Sequence, residues 1–503
     1  MAARAVRLKQ ALIFVHRWIG VSLCLLFLSW FSSGVVMMYW DYPSVSPADR
    51  LSRAPALDAF KIRLSPSQAY AQLHQSYPPD EVELRTFDGR PAFQFSASDG
   101  RRIVYADDGE VQGKFTPEMA LRVAAAWTGL PADKASSENI TEADQWTVSE
   151  EFAGLRPMRK YTWPDGEQVY VSTVTGTVVQ YTTRASRMGA YFGAIPHWLY
   201  FTGLRKHGEQ WTRIVVWASG LGTLAAALGI VVGVWVYSPG KRYRPAGTAS
   251  SVPYVGQKRW HAFLGLIFGV CACTWAFSGM LSMDPFPRLQ EGNSDEIDAR
   301  MEEGLRGELP DLGAFAGKSP QEALTQLDPS FKTKQLEFSS FSGEPFYLAI
   351  GAGNQKRIVP VKGEPEVEFS VERITEALRR AALPARLTQV RLVTKYEAYY
   401  LDRHGRLPLP AIFVQLDDEQ NSSYYVDPKT AQIVQGYNAS SRRNRWLYHG
   451  LHSLNFPWLY SHRPAWDIVA LTLLCGGIAL CVTSLLLAFQ VVRRKLGQMA
   501  RFR

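Results

Sequence analysis

Residues 16–34 read HRWIGVSLCLLFLSWFSSG, and residues 261–279 read HAFLGLIFGVCACTWAFSG. Both stretches begin with a histidine, place a glycine four residues later, carry a tryptophan at the fifteenth position and end on Ser-Gly. Neither stretch contains a lysine or an acidic residue. About 20 such residues are long enough to cross a bilayer as a helix. The sequence therefore predicts two related membrane-spanning helices.

Two further apolar segments complete a set of four predicted spans, at residues 11–38, 211–237, 261–283 and 466–491. Basic residues cluster at one end of every span, within residues 4–17, 241–259 and 493–503. Because lysine and arginine near a span are retained in the cytoplasm, both termini and the middle link should be cytoplasmic. This topology accounts for the net charge of +9 without a nucleic-acid partner.

The spans divide the chain into eight predicted segments. They are 1–40, the cytoplasmic N-terminus and first span; 41–194, a first extracytoplasmic region; 195–240, an interfacial segment and second span; 241–260, a cytoplasmic loop; 261–284, the third span; 285–445, a second extracytoplasmic region; 446–491, an interfacial segment and fourth span; and 492–503, a cytoplasmic tail.

The sequence matches itself at a nearly constant offset. An offset of 245 aligns the two stretches quoted above, 254 aligns Ser65-Pro66 with Ser319-Pro320, and 255 aligns His197 with His452. Ser-Pro predicts the start of a helix, and alternating runs such as 168–172 predict half-buried strands. The predicted fold is therefore an α-helical membrane protein with a pseudo-two-fold repeat and two extracytoplasmic α+β regions.

Two histidines lie at the predicted cytoplasmic side of the bilayer. His16 and His261 each begin a span, and the repeat aligns them with one another. In a two-fold arrangement, equivalent residues of the two copies can approach each other across the axis. The sequence therefore predicts that these two side chains bind one metal centre from opposite faces.

The other side of the membrane holds five histidines in apolar sequence next to the second and fourth spans. His197 and His452 are aligned by the repeat and are the predicted second pair. His449 lies three residues before His452, so both would share one helix face and either could be the ligand. His207 and His462 are also aligned, but they directly precede the spans, where anchoring at the interface competes with a ligand role.

Histidine-only sites suit haem, copper or zinc, because hard cations prefer oxygen ligands. Two axial imidazoles within an apolar bundle fit a b-type haem best. The chain has no Cys-x-x-Cys-His motif, so a haem would be non-covalent. Two histidine ligands leave no open position on the iron, which favours electron transfer over oxygen chemistry. We expect two such haems, one near each face of the membrane.

Several short motifs resemble one known family. The run Val15 to Gly20 resembles the Leu-His-Arg-Trp-Leu-Gly opening of PepSY-associated transmembrane proteins. Residues 425–431 resemble the strand and turn that close a PepSY domain, although Ala431 replaces the usual glycine, which Gly176 retains in the first copy. Residues 447–452 resemble the family's His-x-x-Leu-His stretch, and residues 399–404 resemble its Tyr-Tyr-x-x-Arg-His run.

The resemblance implies a function and a location. The family includes iron-regulated proteins of the bacterial inner membrane and ferric-siderophore reductases, some of which hold two b-haems in four helices. By resemblance, this chain is an oxidoreductase that reduces a ferric chelate in the periplasm with electrons from quinol or from another reductase. The cytoplasmic segments are too short for a dinucleotide-binding fold, so the donor is another molecule.

Two other functions remain open from the sequence. PepSY domains are also associated with protease inhibition, which makes a non-catalytic membrane sensor or protease-modulating protein one alternative. A copper- or zinc-handling membrane protein is the other. In all three cases membrane lipid surrounds the spans, and no nucleic acid is expected.

Overall fold

The computed structural model describes residues 2–98, 100–285, 294–307 and 311–499. Its α-helices are α1 Ala2–Met37, α2 Pro47–Arg53, α3 Pro66–Ala71, α4 Pro117–Thr128, α5 Arg184–Phe192, α6 Ala194–Trp198, α7 Thr202–Arg205, α8 Gly208–Val236, α9 Gly256–Leu281, α10 Ser294–Arg306, α11 Pro320–Thr325, α12 Val371–Ala381, α13 Ala439–Asn444, α14 Leu451–Ser453, α15 Pro457–Tyr460 and α16 Ala465–Met499.

Its strands form three antiparallel sheets. They are β1 Glu81–Phe87, β2 Arg90–Ala97, β3 Gly100–Tyr105, β4 Ser136–Ile140, β5 Met158–Thr162, β6 Gln168–Ser172, β7 Val178–Thr182, β8 Gln335–Phe341, β9 Glu344–Ile350, β10 Lys356–Pro360, β11 Leu387–Val393, β12 Ala411–Leu416, β13 Ser423–Asp427 and β14 Gln432–Tyr437.

Four of the described helices, α1, α8, α9 and α16, are long and apolar enough to span a membrane. Their most apolar windows have mean hydropathies of 1.8 to 2.3, so this is a multi-pass membrane protein with α+β regions outside the bilayer. The helices run past the predicted spans, to Ala2 at one end and Met499 at the other. Arginine, lysine and glutamine favour helix, so a helix can continue where hydrophobicity ends. Arg501 and Arg503 of the predicted tail lie outside the described residues.

The four spanning helices form a ring. α1 packs against α8 and α16, and α9 packs against the same two helices from the other side, so α1 and α9 lie on one diagonal. Because each sheet region connects the end of one span to the start of the next, both regions lie at the same end of the bundle. We call this the domain end.

A shared sheet joins the two extramembrane regions. Its strand order is β10-β9-β8-β1-β2-β3, with three strands from each region and β1 antiparallel to β8 at the centre. At this seam Glu83 lies opposite Glu337, and the side-chain amide of Gln335 donates to both carboxylates at 2.9 Å. The two regions that the sequence separates are therefore held together by backbone hydrogen bonds.

Each region adds a four-stranded sheet of its own, in the order β4-β5-β6-β7 in the first and β11-β12-β13-β14 in the second. α4 packs on the first of these sheets, and α12 contributes Ile374 and Leu378 to the core beside the second. Both helices are capped, because the side chains of Thr116 and Ser370 accept from the third helical N–H. The helices that Ser65-Pro66 and Ser319-Pro320 predict are present, and each is six residues long.

Candidate functional site

The inner histidine pair lies at the end of the bundle away from the sheets. His16 on α1 and His261 on α9 face each other across the diagonal, with ring centroids 6.1 Å apart and planes inclined at 38°. Nδ1 of His16 donates to the carbonyl of Ala225 on α8 at 2.8 Å. Nδ1 of His261 lies 3.2 Å from the hydroxyl of Thr483 on α16, and that hydroxyl donates to the carbonyl of Leu480 at 2.7 Å. A neighbouring helix thus orients each ring.

The outer pair lies at the domain end. His197 on α6 and His452 on α14 have ring centroids 6.0 Å apart and planes inclined at 73°. Nδ1 of His197 lies 3.1 Å from both the carbonyl of Trp30 and the hydroxyl of Ser33 on α1. Nδ1 of His452 lies 3.0 Å from the hydroxyl of Ser278, the residue of α9 that the sequence offset aligns with Ser33.

These hydrogen bonds select the tautomer of the four rings. A ring whose Nδ1–H donates to a backbone carbonyl keeps its lone pair on Nε2, where a metal can bind. At His452 and His261 the partner of Nδ1 is a hydroxyl that donates its own hydrogen to a backbone carbonyl, so this hydroxyl accepts from Nδ1–H and the same tautomer results. Within the described part of the chain, no hydrogen bond forms at Nε2 of any of the four. Each of the four rings therefore keeps a lone pair on Nε2 to which a metal could bind.

The spacing within each pair fits one metal ion. A bond from a metal to an imidazole nitrogen is about 2 Å long. Two such bonds in line, with about 1 Å from each nitrogen to its ring centre, give a centroid separation of roughly 6 Å. The observed separations are 6.1 and 6.0 Å. Two imidazole rings that hydrogen-bond directly to one another would have a shorter centroid separation.

Glycines make room for the rings. A Cβ atom added at Gly229 would lie 2.7 Å from Cε1 of His16. Added Cβ atoms at Gly34 and Gly279 would lie 3.8 and 3.5 Å from the two outer rings, which are ordinary contacts, so the close approach that needs glycine is the one at His16. Between the two levels, the indole N–H of Trp275 is buried without a hydrogen-bond partner among the described residues. Such an orphaned donor is unusual in a protein interior, and a bound group with an acceptor would satisfy it.

The number of protein ligands distinguishes the candidate cofactors. Among the described residues, no group of three or more His, Cys, Asp or Glu side chains is placed to hold a metal ion. Protein-bound zinc takes three or four such ligands. A haem needs only two axial ligands, because the porphyrin supplies the other four nitrogens. The residues present therefore fit haem at both levels better than a protein-only zinc or copper site.

The alternative histidines are placed elsewhere. Of the two that the sequence left open, His452 faces His197, whereas His449 is exposed and its ring contacts Tyr448. His207 caps the start of α8 and His462 precedes α16, and both are exposed. The structure thus pairs the two histidines that the repeat aligns and leaves the other three outside the pair.

The last two histidines lie in the extramembrane regions, as expected. His74 is exposed and donates from Nδ1 to the carbonyl of Ala71. His404 is not an isolated surface residue, because its Nε2 lies 3.6 Å from Asp41 and its side chain lines a cavity. Sequence reasoning missed this second role, since His404 has no histidine at the aligned position of the first copy.

Ser33 and Ser278 contact the outer histidines, a contact that the sequence did not predict. The repeat aligns them within the Ser-Gly that ends each quoted stretch. In the structure their hydroxyl groups meet Nδ1 of the two outer histidines. A polar pair that recurs in both copies, one turn before the end of a span, was the available signal.

Taken together, the four spanning helices, the shared sheet and the paired imidazoles define a multi-pass membrane protein whose bundle brings two histidines face to face at each of two levels. The family model for the PepSY-associated TM region matches residues 13–329, and the chain belongs to that family. Comparisons with curated proteins and with solved structures find no match.

Proposed function

We propose that this protein carries electrons across the bacterial inner membrane and reduces an iron(III) chelate, such as a ferric siderophore, in the periplasm at the domain end. A b-type haem at each histidine pair supplies the one-electron chemistry. One observation carries the proposal: at two levels of the bundle, two imidazoles face each other about 6 Å apart, and no third protein ligand from the described part of the chain accompanies them.

The chain's own residues hold and orient this site. His16 and His261 would be the axial ligands at the inner level, and His197 and His452 at the outer level. A backbone carbonyl accepts from Nδ1–H of His16 and His197, and a hydroxyl accepts from Nδ1–H of His261 and His452, which would fix each ring and strengthen Nε2 as a ligand. Two axial ligands from the protein leave no position for oxygen, so the site favours electron transfer.

The redox balance needs a donor on the opposite side. Each iron(III) chelate takes up one electron and becomes an iron(II) chelate, and no covalent bond of the chelator is broken. A quinol that gives up two electrons and two protons would reduce two chelates, whereas a one-electron redox protein would reduce one. Weaker binding of iron(II) by the chelator then allows the metal to leave.

An absorption spectrum of the purified full-length protein tests the proposal. We expect a Soret band, a sharp α-band after reduction and two non-covalent haems per chain. His16→Ala and His261→Ala should each lose one haem, because one axial ligand is removed, while the exposed His74→Ala should retain both. A folded protein that is colourless when purified from haem-replete cells would contradict the proposal.

A further inference from the structure

A cavity of about 750 Å³ opens at the domain end, between the loop 394–410 and the segment that leads into α16. Its walls combine aromatic and basic side chains, among them Tyr396, Arg403, His404, Trp458, Tyr460 and Arg463. Cavities of 300–1,000 Å³ commonly bind ligands of drug size, which is also the size of a small-molecule iron chelate.

The cavity lies beside the outer histidine pair. Its wall begins at Pro457, five residues after His452. The connecting residues are fixed, because Arg445 donates from Nη2 to the carbonyl of Asn455 at 2.7 Å. On the other side, Arg403 donates to the carbonyl oxygens at the end of α1, one turn beyond the residues that contact His197.

In the first half of the molecule, aromatic side chains pack against the segment that leads into α8. There the loop 141–157 packs onto the segment before α8, and Tyr42 contacts the rings of Trp146, Trp198 and Tyr200 at 5.8 to 6.2 Å. The side-chain amide of Gln145 also donates to the carbonyl of Tyr200 at 2.6 Å. In the second half, no hydrogen bond among the described residues joins 401–406 to 457–463. The loop 394–410 is instead joined to this segment further back, where Arg445 donates to the carbonyl of Ala398 and Trp446 donates to the hydroxyl of Tyr399.

The walls suit an anion. Two guanidinium groups and one imidazole line the cavity together with the carboxylate of Asp402. Because Asp41 and Asp467 balance the charges of the two arginines, hydrogen-bond donors rather than a net positive charge favour the oxygens of an anionic ligand. Both guanidinium groups are held from behind, Arg403 by Asp41 at 3.5 Å and Arg463 by Asp467 at 2.9 Å. Held in this way, they lose little conformational freedom when they meet a further oxygen ligand. Trp458 is 70% exposed and offers a planar face.

We propose that this cavity is the chelate-binding site, and that the chelate it takes is anionic and carries planar rings, such as a tris-catecholate. The inference rests on the proposed function for the identity of the ligand as an iron chelate. Guanidinium forks match paired oxygens of catecholate or carboxylate groups, and aromatic side chains stack on planar rings. One cavity beside one outer haem gives one reduction site per chain.

Gallium(III) chelates test the binding without turnover, because gallium(III) has the charge and nearly the size of iron(III) but is not reduced under these conditions. We would measure binding of a trianionic gallium(III) tris-catecholate to the full-length protein in phosphatidylcholine nanodiscs by calorimetry. Saturable binding should weaken about tenfold in Arg463→Gln and in His404→Gln, the loss expected for one charge-assisted hydrogen bond. His462→Gln, next to the cavity but outside its walls, should bind normally.

Several results would overturn the proposal. They are absence of binding, equal affinity in all variants, equal binding of a cationic gallium(III) tris-hydroxamate, and displacement by phosphatidylglycerol, which would make the anion a lipid headgroup.

Ser461→Trp, which fills the cavity, provides a second loss-of-binding variant whose haem spectrum reports correct folding. Haem content of the same samples separates the two proposals: binding without haem rejects only the proposed function, and haem without binding rejects only this site.

Discussion

The two halves of this molecule are alike inside the bundle and in their sheets, and the comparison is most informative beside the outer histidine pair, where a cavity opens in the second half. Inside, residues that the sequence offsets align face each other at nearly equal distances, 6.1 Å in the inner pair and 6.0 Å in the outer pair. Outside, the first half closes over an aromatic cluster while the second half opens a cavity. A site with two identical axial ligands needs like residues from both sides, whereas a substrate site does not. The similarity of the two halves therefore includes both proposed cofactor sites, whereas the proposed substrate site is formed largely by the second half.

The largest expected effect tests the likeness of the two halves at the outer level. His197→Ala and His452→Ala should each abolish the outer haem, reducing haem content from two per chain to one and eliminating chelate reduction. The reason is that each removes one of two equivalent ligands. The measurements are the haem content of purified variants and the rate of iron(II) release.

His449→Ala is the matched control, since His449 neighbours His452 in sequence but points away from the pair. We expect this variant to keep both haems. Loss of haem in His449→Ala, or retention of both haems in only one of the two ligand variants, would show that the outer site is not built symmetrically.

A smaller effect is expected at the seam of the shared sheet. Burial, with the negative charges of Glu83 and Glu81, raises the pKa of Glu337 to about 7, against the opposing effects of Lys356 and Gln335. An unfolded glutamate releases its proton near pH 4.3. The folded state therefore binds more protons between pH 4.3 and 7, and stability falls as the pH rises through this window.

Glu337→Gln should remove this loss, because a neutral amide can still accept from Gln335. We expect stabilisation of at most about 4 kcal/mol at pH 8 and little change at pH 5. Thermal unfolding of the purified protein at both pH values measures it. Glu344→Gln is the control, since Glu344 is 75% exposed in a surface ion pair. Equal shifts at pH 5 and pH 8 would contradict the assigned pKa.

The smallest effect concerns a turn that differs between the halves. Ala431 adopts φ 54°, where the first half has Gly176 at φ 65°. The left-handed region costs a non-glycine residue about 1–2 kcal/mol, and the greater freedom of unfolded glycine offsets part of that. We expect Ala431→Gly to stabilise by about 0.5–1 kcal/mol in thermal unfolding.

The reverse change in the first half should destabilise, which makes it an informative partner. A Cβ atom at Gly176 would lie 2.3 Å from the ring of Phe115, in addition to the strained backbone. If Gly176→Ala were neutral or Ala431→Gly destabilising, the two turns would not be equivalent in the way that their dihedral angles indicate.

Much of the fold could be predicted because hydrophobicity and capping are local properties. The four spans follow from apolar stretches, and Thr116 and Ser370 mark helix starts by their own side chains. The pairing of β1 with β8 could not be predicted, because it joins strands about 250 residues apart whose alternation is satisfied equally well in two separate sheets. The internal repeat itself stays a prediction from the sequence.

The candidate site could likewise be predicted only in part from the sequence. Alignment of the copies indicated His16 with His261 and His197 with His452, and the structure brings these pairs face to face. Spacing alone could not separate His452 from His449, since residues three apart share a helix face. Here residues 445–450 form a π-helix and α14 follows at once, which changes the angle between them. Their roles as haem ligands stay a prediction.

The hydrogen bonds of the four histidines have a consequence for how the protein is made. His16 is oriented by α8 and His197 by α1, so the first half of the chain orders one ligand at each level by itself. The second half does the same with α9 and α16. Under the proposed function, a ribosome that has completed only the first half has inserted two half-sites that cannot retain a haem. Cofactor loading then becomes a late step of biogenesis, and a chain truncated before His452 would reach the membrane with its outer level empty.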